Sequence, residues 1–271
     1  MQAVFLPAIR WLARAVGLRR GVHRLVELTL REKTNWELAR DRDGNFFLLN
    51  LKNYLDARLY LAGSYEEEEI RTFRYLVWKA NCTVFIDVGA NIGLYTVSIG
   101  KISTIATIHA FEPDLLNRYQ LIANILLNDL SSKVIVYDIA LSSEHAYLPL
   151  YRCSNPKEFD AHKVNTGTHS IHYNPQWHDD VVTVECKRAD DILEMRNERL
   201  AIKIDVEGHE EQVLQGMKQL LTENVSVLLI ESLPARYSSV EHLLAEYGYN
   251  CHYVFKDHNY IFSNIGKETI D

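Results

Sequence analysis

The sequence predicts an α/β protein built on a doubly wound, mostly parallel sheet, and three observations carry that expectation. Short apolar runs recur from residue 84 onward, each followed by a helical pattern. Strands buried on both faces of a covered sheet read in that way. A glycine-bearing turn, Gly89 to Gly93, follows the first run. Acidic residues stand at the carboxyl ends of the first three runs, Asp87, Glu112 and Asp138, where open α/β sheets bind their ligands.

Taken in order, residues 1–41 look helical. Leu6, Ile9, Ala13 and Val16 recur at helical spacing with arginines between them, the pattern of a basic amphipathic helix. Arg10 and Arg14 interrupt the apolar run and no clean cleavage site follows, which argues against a signal peptide. Asn45–Leu51 and Ala57–Leu61 read as short strands, with a turn at Asp43-Gly44. Ser64 is placed to cap a helix that runs through the acidic stretch Glu66–Glu69 to about Ala80. The extension is therefore expected over 1–80, helical with short strands, and the ligand-binding domain over 81–271.

Within that domain the expected strands are Val84–Val88, Ala106–Phe111, Val134–Tyr137, Ala201–Asp205 and Val225–Ile230. The expected helices run to about Ile99, through Asn128, and near Glu210–Leu221 and Val240–Tyr247. Asn250–Phe255 and Tyr260–Ser263 are close enough to form a terminal antiparallel hairpin. One stretch, about 143–188, breaks the rhythm. It is rich in His, Asn and Tyr, Tyr147–Tyr151 and Val181–Cys186 are suited to pair within it, and long irregular insertions are commonly lids or binding loops.

Composition narrows the function. The chain of 271 residues has a net charge of −7. Residues 1–32 carry six arginines against two glutamates, a net +4, which leaves −11 for the remainder. An acidic body lacks the basic face of a nucleic-acid binder. The four cysteines, Cys82, Cys153, Cys186 and Cys251, are widely spaced. Free thiols in a reducing compartment are the simple expectation. A cytoplasmic protein follows, with peripheral membrane contact through residues 1–30 as the alternative to a helix packed on its own domain.

The glycine turn reads D-x-G-x-x-x-G, from Asp87 through Gly89 to Gly93. It lacks the G-x-G-x-x-G of a dinucleotide fold and the G-K-[ST] of a phosphate loop. A carboxylate two residues before the first glycine repels pyrophosphate and suits a cationic amino-acid end. Glu112, 19 residues after Gly93, has the spacing of an acid that accepts hydrogen bonds from ribose hydroxyls. Asp138 is placed to meet an adenine amino group.

Asp87-Val-Gly-Ala-Asn-Ile-Gly93, Ala110-Phe-Glu-Pro113, Asn124 and Asn128, Ala140-Leu-Ser142 and Ile204-Asp-Val-Glu-Gly-His-Glu210, in that order, resemble the FkbM methyltransferases. Gly63-Ser-Tyr-Glu66 resembles a segment upstream of these in the same family. The resemblance covers roughly residues 40–265. It implies a class I methyltransferase (Rossmann-like) fold, a seven-stranded, mostly parallel sheet with a C-terminal antiparallel hairpin. It implies S-adenosylmethionine as donor and most often a hydroxyl on a sugar, glycan, polyketide or similar metabolite as acceptor. By this match Asp87, Gly89, Ala90, Asn91 and Gly93 hold the methionine end and Glu112 the ribose. Asp138 takes the adenine side, with Ala140 counted among the cofactor contacts.

Asp205 ends the fourth strand beside the first, so it should face the donor's sulfonium. A hydroxyl acceptor needs its proton removed, and Asp205, Glu207 and His209 are the candidate catalytic residues. His209 has the most suitable unperturbed pKa, whereas Lys203 reads as structural. In the insertion, His169 and His172 have metal-ligand spacing only on a helix, which Gly167 and Pro175 oppose. No metal is assigned, therefore, and the insertion with His162, His178, Tyr173 and Trp177 is expected to be a substrate lid. An amine acceptor and an inactive cofactor-binding scaffold are the alternatives to O-methylation; a nicotinamide oxidoreductase is opposed by the glycine spacing.

Overall fold

The computed structural model describes residues 36–156 and 163–266. The amphipathic segment expected at residues 1–30, and Asp160 and His162 of the insertion, lie outside the described residues.

The chain opens with an antiparallel hairpin, β1 (Trp36–Arg40) and β2 (Phe46–Asn50), then α1 (Tyr54–Ala62) and α2 (Glu67–Lys79). β3 (Val84–Val88), α3 (Leu94–Gly100), β4 (Thr107–Phe111), α4 (Leu115–Leu127) and β5 (Val134–Tyr137) form the first half of the main sheet. β6 (Ala140–Leu141), just before the insertion, joins β7 (Ala146–Arg152) and β8 (Asp180–Lys187) from within it in a separate small sheet. β9 (Arg199–Ile204), α5 (Glu210–Gly216), α6 (Lys218–Glu223), β10 (Val225–Glu231), α7 (Pro234–Glu246), β11 (Asn250–Val254) and β12 (Asn259–Ser263) complete the chain.

The seven-stranded sheet has the order β11-β12-β10-β9-β3-β4-β5. β5, β4, β3, β9 and β10 are parallel, and β12 runs antiparallel between β10 and β11. Side chains alternate across a strand, and here both faces are covered. Phe85, Val227 and Leu229 join the core shared with α1, α2 and α3. Ile86, Leu228 and Ile230 join the core shared with α5, α6 and α7. The order reverses at β3, which lies between β4 and β9, so the switch point falls beside the glycine turn.

Four local expectations are corrected. Trp36–Arg40 is a strand and not the end of a helix, because it pairs with β2 across the Asp43-Gly44 turn. Ala57–Leu61 lies within helix α1. Gly63 (φ 73°) closes that helix with its N–H on the Leu59 carbonyl, a C-terminal signal that a strand reading overlooks. Ser64 is not the cap of α2; Glu66 holds that position with φ 49°. The helix expected over Glu210–Leu221 is broken at Met217 into α5 and α6. The backbone of Ser142 crosses there so closely that a Cβ on Gly216 would lie 1.9 Å from its carbonyl oxygen.

Helix α4 positions the hairpin against the sheet in an unusual way. Asn128 Oδ1 accepts from the Phe46 N–H at 3.0 Å and Asn124 Oδ1 from the Leu48 N–H at 2.7 Å. Gln120 Nε2 donates to the Leu48 carbonyl at 2.8 Å. Residues four apart share a helix face, so these amides stand in for a missing strand along the free edge of β2. Asn124 Nδ2 also donates to the Ile92 carbonyl at 2.8 Å, which ties the glycine turn to the same helix.

Candidate active site

At the switch point β3 delivers Asp87, fully buried. Its Oδ2 accepts from Thr96 Oγ1 at 2.6 Å, while its Oδ1 has no hydrogen-bond partner. Burial raises the carboxyl's pKa and the Lys203 ammonium, from the neighbouring position on β9, opposes that rise. Gly89 then adopts φ 78°, and a Cβ there would lie 1.9 Å from the Asp205 carbonyl oxygen. No other residue type fits that approach. The N–H groups of Gly89 and Ala90 donate to the Phe111 carbonyl at 3.1 and 3.0 Å. Asn91 is left-handed at φ 49° and its buried Oδ1 has no partner. Gly93 opens α3.

Glu112 follows β4 and is buried. Its Oε2 accepts from the Asn91 N–H at 2.7 Å and its Oε1 from the Asp114 N–H at 2.8 Å. Burial pushes this carboxyl up to about 8, against the pull of the Asp114 N–H. A carboxylate offers about four acceptor directions, so two remain for a vicinal diol such as ribose. Ile139, Ala140 and Leu141 line the same cleft. Asp138 is exposed and is not among the lining residues; the adenine side is walled by the apolar residues that follow it.

Asp205, Val206 and Glu207 form the opposite wall. Lys203 Nζ reaches Asp205 Oδ2 at 2.7 Å, and the lysine side chain is almost entirely buried. Its ammonium is held above its ordinary value by Asp205, Asp87 and Glu66, which outweigh desolvation. The carboxylate oxygens of Asp205, Glu207 and Glu231 lie within 4.8 Å of one another, close enough to hold a cation. Burial pushes Glu207 up to about 8, and Asp205 adds to the rise. Glu231, at the end of β10, is raised in the same way. Glu66 is pushed up to about 7 by burial, and its Oε2 accepts from the Tyr95 hydroxyl at 2.7 Å.

Glu66 and Glu231 were not among the residues singled out from the sequence. Glu231 was within reach, since it ends the fifth parallel strand, the position that marks Glu112 and Asp205. Glu66 was hidden in a run of four glutamates that reads as the charged start of a helix.

His209 lines the cleft, but both ring nitrogens are engaged. Nε2 meets Ser142 Oγ at 3.0 Å and Nδ1 meets His172 Nε2 at 3.2 Å. Burial, with His172 and Arg236 nearby, pushes it down to about 4. This corrects the expectation of a free base at His209, which instead ties the insertion to α5. His169 lies against Asp114 at 4.0 Å, while His172 meets His209. Tyr173 is exposed and packs on Tyr151 with ring centroids 5.1 Å apart, outside the cleft lining. The segment Thr166–Ile171 does lie across the cleft and leaves only about 60 Å³ of open space.

The orphaned oxygens of Asp87 and Asn91, the glycine approach and the half-used Glu112 carboxylate fit a cofactor with a cationic amino-acid end and a ribose. Together with the sheet order they fit S-adenosylmethionine. The sequence profile of the Methyltransferase FkbM domain matches residues 87–255. The chain belongs to that family.

No curated protein sequence matches the chain. Solved structures similar to it include the FkbM methyltransferase of Methylobacillus flagellatus KT, with 17% identity and a TM-score of 0.47 over 89% of this chain. The match spans 59% of that protein's length. A precorrin-6y C5,15-methyltransferase from Geobacter metallireducens GS-15 has 12% identity and a TM-score of 0.42, covering 73% of this chain and 88% of its own. A tRNA m1G37 methyltransferase from M. jannaschii has 12% identity and a TM-score of 0.45, covering 86% and 56%.

Proposed function

We propose that the protein is an O-methyltransferase that acts on a hydroxyl of a sugar, glycan or similar metabolite. The observation that carries this reading is Asp205, an ion-paired carboxylate in the cleft wall whose own carbonyl touches the glycine turn. When bound, S-adenosylmethionine supplies an electrophilic methyl group, and transfer requires acceptor oxygen, carbon and sulfur in line. Asp205 is set to take the acceptor's proton as attack proceeds, a contribution of about 10²–10⁴ in rate. Lys203 holds Asp205 in one orientation. Glu207, its carboxyl pushed up by burial and by the neighbouring Asp205, lines the same wall and is placed to hydrogen-bond the acceptor.

The acidic trio favours one second reading, a cationic amine acceptor, because three clustered carboxylates attract a positive charge. The experiment is turnover with methyl-labelled donor against panels of glycans and of amines. Methyl-ether products that vanish in Asp205→Asn, with donor binding retained, support the proposal. Methylamine products would move it to nitrogen. No turnover with either panel, by a protein that binds S-adenosylhomocysteine, would favour an inactive scaffold.

A further inference from the structure

A second pocket, of about 550 Å³, opens behind the acidic wall and has the size of a small-molecule site. It shares no lining residue with the donor cleft. The two meet at the acidic cluster. Glu231 lines the pocket, and its carboxylate oxygen lies within 4.8 Å of those of Asp205 and Glu207 in the cleft wall. Tyr65 lines the pocket too, and its hydroxyl is pushed up by burial and then by Glu66, Glu231 and Asp205. Transfer in line brings the acceptor in from the side away from the departing sulfur. With the donor in its cleft, this pocket offers a separate approach to Asp205.

Its charges are unevenly partnered. Glu66 and Glu231 border a region of negative potential, where burial and then Asp205, Glu66 and Glu207 push the Glu231 carboxyl up. Arg42, in the same lining, is held by Glu67 at 2.6 Å. Arg58 is different. Partly buried on α1, it donates to the Tyr54 hydroxyl at 2.9 Å and lies 5.5 Å from the centre of that ring. Among the described residues it pairs with no carboxylate. A guanidinium carries five donors in a planar fork that matches carboxylate and phosphate, so Arg58 keeps most of them for a ligand.

We propose that this pocket is the acceptor site and takes a sugar that carries an anionic group, a carboxylate or a phosphate, bound by Arg58. The inference rests on the hydroxyl reading above and names its substrate class. The same geometry selects the oxygen that is methylated. The negative potential around Asp205, Glu207 and Glu231 repels the acceptor's anion, which stays at Arg58, and a neutral hydroxyl reaches Asp205. Its proton passes to Asp205 as its oxygen takes the methyl carbon and the sulfur keeps the bonding pair. The product is a methyl ether with its anion free, and not a methyl ester.

The test is calorimetric titration of the full-length protein, saturated with S-adenosylhomocysteine, with glucuronate, glucose 1-phosphate, glucose and glucosamine. The wild type should bind at least one anionic sugar about tenfold more tightly than glucose, the scale of one charged hydrogen bond. Which of the two binds more tightly identifies the anion. Arg58→Gln should abolish the preference with affinity for S-adenosylhomocysteine unchanged, a sign that the fold and the donor site are intact. Arg58→Lys, which keeps the charge without the fork, should retain part of it. No preference in the wild type, or one that survives Arg58→Gln, would overturn the proposal. Tightest binding of glucosamine would overturn it in favour of a cationic acceptor. Because S-adenosylhomocysteine has no methyl to give, these titrations are independent of the hydroxyl reading, which turnover of the preferred sugar decides. An alkali-stable methyl ether supports both, and an alkali-labile methyl ester would overturn the proposed orientation. Anion preference without any turnover supports the anion site and counts against the hydroxyl reading alone.

Discussion

The two walls of the cleft are built by opposite strategies. On the cofactor wall Asp87, Gly89, Asn91 and Glu112 come from one contiguous strand-turn-helix-strand unit, and three of the four carboxylate oxygens of Asp87 and Glu112 are already hydrogen-bonded. On the acidic wall Asp205 and Glu207 line the cleft, and Glu66 and Glu231, which line a neighbouring pocket, join their charge cluster from two other segments. Among the described residues, no side-chain hydrogen bond is made by Glu207 or Glu231, and Lys203 is the cation at the centre of the group. Glu66 and Glu207 both hold left-handed backbone, at φ 49° and 50°, a conformation that costs about 1–3 kcal/mol. The first wall is preorganised before any ligand arrives. The second stores unfavourable charge and strain, which a proton or an incoming cation relieves.

The severest way to break this contrast is to force the walls apart. Gly89→Ala places a methyl 1.9 Å from the Asp205 carbonyl. Binding of S-adenosylhomocysteine should weaken more than about 100-fold, with stability lowered by about 2–3 kcal/mol for the forced backbone. Calorimetry and thermal melting read both. Normal binding would mean that the contact between walls does not require glycine.

Next comes the central cation. Lys203→Met leaves Asp205 without its partner at 2.7 Å, and losing one member of a buried pair costs about 3–5 kcal/mol. Denaturant unfolding should show a loss near the lower end, because Asp205 retains some solvent. Adding Asp205→Asn in the same background should restore part of it. A purely additive pair would mean that the two charges are not coupled.

A smaller effect sharpens the division of labour. Glu112→Ala removes the acceptor of two backbone N–H groups. The two acceptor directions left for a ribose diol go with it, and at about 0.5–1.5 kcal/mol per hydrogen bond donor affinity should fall about tenfold. Glu231→Gln should leave donor affinity within about threefold and, by removing a like charge, raise stability by a fraction of a kcal/mol. Equal losses in both variants would erase the distinction between the walls.

The smallest effect is in pH dependence. Glu66 and Glu207 are raised from 4.5 to about 7 and about 8, so the folded state binds more protons than the unfolded one. Their stabilising contribution is fully present below about pH 4.5 and is lost as pH rises through 7 to 8. The melting temperature should fall over that range, and Glu66→Gln with Glu207→Gln should flatten the slope. A slope unchanged in the double variant would show that these carboxyls ionise freely.

The cofactor wall was legible in the sequence because its residues are local. Asp87, Gly89, Gly93 and Glu112 sit at set offsets from two strands, and a turn that needs positive φ writes a glycine into the chain. The acidic wall was half legible. Asp205 and Glu207 follow a strand end, but Glu66 joins them only because α2 packs against α3 and β10. His209 illustrates the opposite error. Its side-chain chemistry suggested a base, whereas burial and the two partners Ser142 and His172 hold it neutral and occupied. Asn124 and Asn128 stood in the family pattern without a role until the fold set them along the open edge of β2.

By itself the sequence determined the alternation of strands and helices, which follows from periodicity and short-range spacing, and carried the motifs whose family resemblance implied the seven-stranded sheet and the donor. Only the tertiary structure decided which carboxylates converge, which histidine is spent on a structural bond, and that α4 turns Gln120 and Asn124 inward and leaves Leu116, Tyr119 and Leu126 exposed. Such outcomes depend on contacts between segments far apart in the chain, and the free energy of a buried charge or amide is set by the neighbours it meets there.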